Sequence, residues 1–149
     1  MAVSKAADIE AIRGLVAARE VAVANADDEA AIGAFSRDVV VYDLQPPLAF
    51  AGAAARNTEA LRAWLGTWRA PGPRVEFHES RILLDGDLGI AYGFSRLRGD
   101  KIGEGAVELW FRTTLVFARA GDGWMIAHEH NSVPMEMDGS GLAAVHLKP

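Results

Sequence analysis

Only four histidines occur in the chain, and two of them share one short stretch, WMIAHEHNSVP (Trp124–Pro134), as His128 and His130 around Glu129. Residues two apart on a strand point to one side of it. A neutral imidazole donates from one nitrogen and accepts at the other, and its ordinary pKa of about 6.5 suits proton transfer near neutrality. Asp43 is the second group that could do chemistry. It ends the apolar run VVVYD, with Val39 and Val41 on its side. A carboxylate in apolar surroundings is pushed up in pKa by desolvation and becomes a better base. Structural roles compete with these readings. Inward histidines often only satisfy buried polar groups, and an aspartate before Pro46 and Pro47 can simply stop a strand and open a turn. Two histidines and a carboxylate are also the facial set of non-heme iron sites. The histidine spacing, however, is what any strand wall supplies, and the distance in sequence to Asp43 carries no pattern. No metal and no other cofactor is expected.

The composition bounds the chemistry further. The chain has 149 residues, 50% hydrophobic and 23% charged, with a net charge of −5 and no cysteine. One globular domain over 1–149 with a real core is the expectation. Without cysteine, disulfides, thiolate catalysis and cysteine-based zinc sites are excluded. No basic stripe is present to neutralise phosphates, so nucleic acid is not an expected partner. MAVSKAADIEAIRG does not read as a leader and no stretch approaches a membrane span, so a cytoplasmic protein without membrane association is expected.

The elements that must position these groups follow from periodicity. AADIEAIRGLVAAREVAVANADD carries Ile9, Ile12 and Val16 at helical spacing in an alanine-rich background and predicts a long first helix. ADDEAAIGAFSRD predicts a short second helix capped by Asp27 or Asp28, with Ala31, Ile32 and Phe35 inward. VVVYD reads as a strand and LQPPLAFAGAAAR as a loop, since prolines cannot join a ladder. NTEALRAWLGTWR predicts a third helix capped by Thr58. Its Leu61, Trp64, Leu65 and Trp68 follow one face, and the two tryptophans are better explained by burial than as a ligand platform. From Arg74 the period changes to two. RVEFHESRILL, LGIAYGFSRLR, AVELWFRTTLVFAR and WMIAHEHNSV predict four strands separated by glycine-bearing turns. Helices followed by an antiparallel meander indicate an α+β domain with the helices on one face of the sheet.

If AGDG is a four-residue hairpin loop, Arg119 pairs with Trp124, Phe117 with Ile126, Leu115 with His128 and Thr113 with His130. Phe111, Thr113 and Leu115 then share an apolar inner face with both histidines. Trp110 and Arg112 lie outside, Arg112 beside Glu129 and Asn131. A loop of different parity would exchange the faces. Tyr92 and Phe94 alternate with Ile90 and Arg96 and are candidates for the same inner wall.

This order of elements, with VVVYDLQPPL, ELWFRTT and GWMIAHEHNSVP as its most specific parts, resembles the SnoaL-like branch of the NTF2-like superfamily over nearly the whole chain. The resemblance implies a cone-shaped, cystatin-like fold, in which three N-terminal helices pack on a strongly curved, mostly antiparallel sheet around an internal pocket. It also implies that Asp43 matches the general-base aspartate of ketosteroid isomerase. The oxyanion-hole tyrosine of that enzyme falls at about Arg19 and its protonated aspartate at about Thr113, so steroid isomerisation is not expected. The functional expectation is a small-molecule pocket protein. As an enzyme it would be a cofactor-independent isomerase, dehydratase, hydratase or cyclase on an apolar, cyclic or polyketide-like compound. Asp43 would be the base, His130 the partner acid, His128 a deeper catalytic neighbour, and Tyr92, Phe94, Phe111, Thr113 and Leu115 the ligand wall. The alternatives are a ligand-binding protein without turnover and a non-catalytic oligomerisation module, since HEHNSVP also resembles the calcium/calmodulin-dependent kinase association domain. A homodimer through Trp110 and Arg112 is expected, because an outward tryptophan on a sheet is a typical interface anchor.

Overall fold

The structure, a computed structural model, describes residues 4–149. Met1 to Val3, the start of the stretch read as free of a leader, lie outside the described residues. Helix α1 (Lys5–Ala24) begins at Ser4, whose hydroxyl accepts from the Ala7 N–H. It buries Ile12 completely and packs Leu15 and Val16 against the core. Helix α2 (Asp28–Gly33) is capped by Asp27, which accepts from the Ala30 N–H. It ends before Phe35 because that residue already belongs to strand β1 (Phe35–Tyr42). A two-residue strand, β2 (Phe50–Ala51), sits in the stretch expected to be all loop. Helix α3 (Thr58–Leu65) is capped by the Asn57 side chain accepting from Ala60, one residue earlier than the Thr58 expected. Four long strands follow: β3 (Arg74–Asp85), β4 (Leu88–Lys101), β5 (Gly105–Ala120) and β6 (Gly123–Ser132).

The six strands form one sheet in the order β2-β1-β6-β5-β4-β3. Only β1 and β6 run parallel. The helices cover the inner face, where Ile12, Phe35, Val39, Val41, Leu115, Phe117, Trp124 and Ile126 build the core. Trp68 is buried as expected, edge-on to the half-buried Trp64 at 5.5 Å. Polar ties hold α1 to the sheet. Asp8, 7% exposed, accepts from Arg119 (2.8 Å) and from the Trp124 indole (3.0 Å). Arg13 binds Glu79, and the Glu20 carboxylate accepts from the Phe77 backbone N–H on edge strand β3 at 2.6 Å. No helix among the described residues is long and apolar enough to cross a membrane.

Besides the register shift of β1 against β6 between Phe35 and Val40, two irregularities bend the sheet. In β3 the register with β4 shifts between Glu79 and Arg81, and Gly93 lies opposite. A side chain at Gly93 would overlap the His78 carbonyl and crowd the backbone of Glu79 and Ser80, so glycine is required for the two strands to approach there. The second irregularity is in β6. Arg119 pairs with Trp124 and Phe117 with Ile126, as expected from the hairpin. The next pair, however, is Val116 with His128. Ala127 is the extra residue of a β-bulge, and a bulge of one residue reverses which side chains face inward. The expected pairs Leu115–His128 and Thr113–His130 are therefore corrected to Leu115–Glu129 and Thr113–Asn131.

Candidate functional site

Beyond Ala127 the inner face of β6 is carried by Glu129 and Asn131, each 8% exposed. Their neighbours on β5 are Phe111, Thr113 and Leu115, all buried and inward as expected. A carboxylate carried into such a face requires a partner. Arg19, on the second turn of α1 from its C-terminal end, provides it: Nη1 donates to Glu129 Oε2 at 2.7 Å. The guanidinium also lies over the Phe35 ring, 4.5 Å from its centre. Asn131 bridges the two acids of the region. Its Nδ2 donates to Glu129 Oε1 at 2.9 Å and reaches Asp43 Oδ1 at 3.4 Å. Asp43 stands just past the end of β1, on the side of the buried Val39 and Val41, and its Oδ1 also accepts from the Leu44 N–H.

The string continues inward. Thr113 Oγ1 donates to Asn131 Oδ1 at 2.9 Å, and Ser95 Oγ is 2.7 Å from Thr113 Oγ1. The directions of these bonds follow from the inventory of donors. Carboxylates only accept, so both amide hydrogens of Asn131 face Glu129 and Asp43 and its oxygen faces Thr113. The Thr113 hydrogen is thereby committed to Asn131, and Ser95 must donate to Thr113. Six side chains, Ser95, Thr113, Asn131, Asp43, Glu129 and Arg19, thus form one connected string. It runs from the exposed Asp43 at the rim to Ser95, 3% exposed, in the interior. Nearby on α1, burial pushes the carboxyl of Glu20 above its usual range, opposed by its bond to Phe77.

His128 and His130 are not part of this string. They lie on the outer face with Val40 and Tyr42, their neighbours on β1. The Tyr42 ring meets both imidazoles edge-on at 4.8 and 5.3 Å. The expected pair of Asp43 and His130 in one cavity is corrected: the two side chains are on opposite faces of the sheet. The same holds for the facial set of His128, His130 and Asp43. Tyr92 and Phe94, expected in the inner wall, are 38% and 41% exposed on the outer face, because Ala91, Gly93 and Ser95 take the inward positions of β4. Trp110 and Arg112 are outside, as expected. Trp110 is half-buried, beside His78 at 5.3 Å and under Arg96. The bulge also changes the partner of Arg112, which donates to Ser132 Oγ at 3.1 Å and not to Glu129 or Asn131.

Two surface clefts flank the sheet. One of about 280 Å³ lies between Lys5, Arg81, Leu83 and Leu88. The other, of about 220 Å³, lies beside Pro71, Arg74 and Arg98. Neither is lined by residues of the polar string. Missing from the residues singled out by motif were Arg19, Glu129, Asn131 and Ser95. Arg19 and Thr113, the positions at which the chain departs from the isomerase pattern, both belong to the string.

No curated protein matches the chain. Among solved structures, an NTF2-like protein of unknown function from Pseudomonas putida KT2440 is 27% identical, with 99% of this chain and 100% of that one covered and a TM-score of 0.77. An NTF2-like protein with a cystatin-like fold from Novosphingobium aromaticivorans is 19% identical over 96% of this chain and 90% of that one, with a TM-score of 0.69. A ketosteroid isomerase-like protein from Erwinia carotovora atroseptica is 16% identical over 84% and 95%, also at 0.69. The last two likenesses establish the fold alone. The model of the SnoaL-like domain matches residues 12–136. With its three N-terminal helices on a six-stranded, mostly antiparallel sheet, the chain belongs to the SnoaL-like family and has the NTF2-like fold.

Proposed function

We propose that the inner polar string is the working site of a small-molecule protein, with Asp43 as its general base. The observation that carries this reading is the connection of Asp43, through Asn131, to a paired Glu129–Arg19. Such a string orients the Asp43 carboxylate through Asn131 and links it to the Glu129–Arg19 pair, whose guanidinium has further N–H groups to offer an oxygen of the ligand. Positioned donors of this kind stabilise charge that develops on an oxygen as a base removes a proton. The charges specify the ligand further. Glu129 already balances Arg19, and Asp43 leaves the site with a net negative charge, so an anionic ligand is repelled. The fitting class is an uncharged, largely apolar carbonyl or hydroxycarbonyl compound that rests on Phe111 and Leu115. Isomerisation, dehydration, hydration and ring closure all begin with the proton transfer that Asp43 would perform.

The test is deuterium incorporation at the carbon next to the carbonyl in a panel of cyclic ketones, followed by NMR in heavy water. The protein should accelerate exchange for at least one of them, and Asp43→Asn should lose the acceleration while remaining folded. Exchange at the buffer rate for every ketone, or exchange unaffected by Asp43→Asn, would defeat the proposal.

A second reading, self-association, is favoured by the outer sheet face. Tyr92 and Phe94 are exposed there beside Trp110 and Arg112, and contiguous apolar groups on a sheet suit a second copy of the chain. This reading is compatible with the first, and with a module that only assembles.

A further inference from the structure

The bulge at Ala127 leaves His128 and His130 without a role in the inner string, yet it places both on one side of one strand. We propose that they form a two-imidazole chelate for a late first-row transition ion, with Cu²⁺ the ion held best.

The tautomer of the neutral His128 ring is set by its partner. Its Nδ1 lies 2.7 Å from the carbonyl oxygen of Val40. A carbonyl only accepts, so Nδ1 carries a hydrogen, and in the neutral ring Nε2 is left with a lone pair. A ring nitrogen donating to a backbone carbonyl while the other faces the ion is the arrangement by which proteins orient ligating histidines. His130 is exposed and makes no hydrogen bond among the described residues, so its ring can turn to present a nitrogen. The separation permits this. An ion about 2.0 Å from each ligating nitrogen stands roughly 3.2 Å from each ring centre, so two rings on one ion have centres at most roughly 6.4 Å apart. The centres of His128 and His130 are 6.3 Å apart, and turning His130 inward shortens that distance toward the bent geometry of a chelate. Tyr42 packs edge-on against both rings and limits where they can swing.

Among the described residues no third histidine, cysteine, aspartate or glutamate completes a cluster. The site is therefore open, with two nitrogens from the protein and the remaining positions left to water or an added ligand. Imidazole nitrogens suit copper, nickel and zinc, and the general order of affinities puts Cu²⁺ first.

The experiment is titration of the full chain with Cu²⁺, followed by calorimetry and by electron paramagnetic resonance. One Cu²⁺ per chain is expected, with the hyperfine pattern of two nitrogens. His130→Asn should weaken binding at least about tenfold, the lower end of what loss of support costs a metal site, and adding His128→Asn should abolish it. The pair His78→Asn and His146→Asn should leave the affinity unchanged. Because the His128 ring is bonded to Val40 and its replacement could perturb β1, the single His130→Asn variant, with an unaltered thermal midpoint, decides the matter alone. Absence of saturable binding, binding that survives His130→Asn at full strength, or binding lost with His78 and His146 overturns the proposal.

Discussion

At the scale of single residues, the interior is governed by how each buried charge is paired. Arg19 and Glu129 have side chains 25% and 11% exposed, so removing the guanidinium leaves a nearly buried carboxylate with only an amide partner. Arg19→Met should cost about 3 kcal/mol, the lower end for breaking a buried pair, as measured by urea unfolding. Glu129→Gln, which retains bonding to Asn131, should cost less. Asp8 gives a pH dependence. Its bonds to Arg119 and the Trp124 indole hold its carboxyl below the usual range. A group that ionises more readily folded than unfolded contributes fully above the unfolded value, about 3.9, and that contribution is lost as the pH falls through the folded one. Glu20 has the opposite sign: burial favours its protonated form, so stability falls as the pH rises from about 4.3 through the raised value. Urea midpoints taken across the acid range should show Asp8→Asn flattening the low-pH limb and Glu20→Gln removing the loss that accompanies ionisation. An unchanged acid limb in Asp8→Asn would show that the anchor contributes nothing.

At the scale of elements, the sequence is legible where period alone decides and misleading where one inserted residue resets it. The four long strands, the three helices and the Arg119–Trp124 and Phe117–Ile126 pairs follow from alternation and turn chemistry. The bulge does not. Ala127 is an ordinary strand residue with no glycine or proline to mark it, and strict alternation carried beyond it sends His128 and His130 inward. Pairing decides the actual choice. With the bulge, Glu129 meets Arg19 and Asn131 meets Thr113; without it, two imidazoles would face Leu115 and Thr113 and the guanidinium of Arg19 would lose its partner. Asp43, Phe111, Thr113 and Leu115 face inward as alternation predicts, because β5 carries no extra residue of its own and the register shift of β1 lies before Val40, upstream of Asp43. Alternation points Tyr92 and Phe94 the wrong way because Ala91, Gly93 and Ser95, which do face inward, are small and give little hydrophobic contrast. The bulge in β3 provides a test of how strictly these irregularities are built in. Gly93→Ala places a methyl on the His78 carbonyl, and the strain should destabilise the protein by about 3 kcal/mol. A thermal midpoint equal to wild type would mean that the strands separate freely there.

At the scale of the whole molecule, the sheet offers two candidate faces, and mutation tests them separately. The outer one is the candidate self-association surface. Analytical ultracentrifugation at micromolar concentration should show a dimer that Trp110→Glu converts to monomer, whereas a monomeric wild type would remove the second reading. The inner one carries the polar string, and with it the proposed chemistry, apart from the paired histidines of the outer face. The most direct measurement is deuterium exchange into a responsive cyclic ketone, compared between Asp43→Asn and the double variant His128→Asn with His130→Asn. The inner-face account predicts that Asp43→Asn abolishes catalysed exchange while the double histidine variant retains it. Retained exchange in Asp43→Asn with loss in the histidine variant would place the chemistry on the outer face and contradict the account.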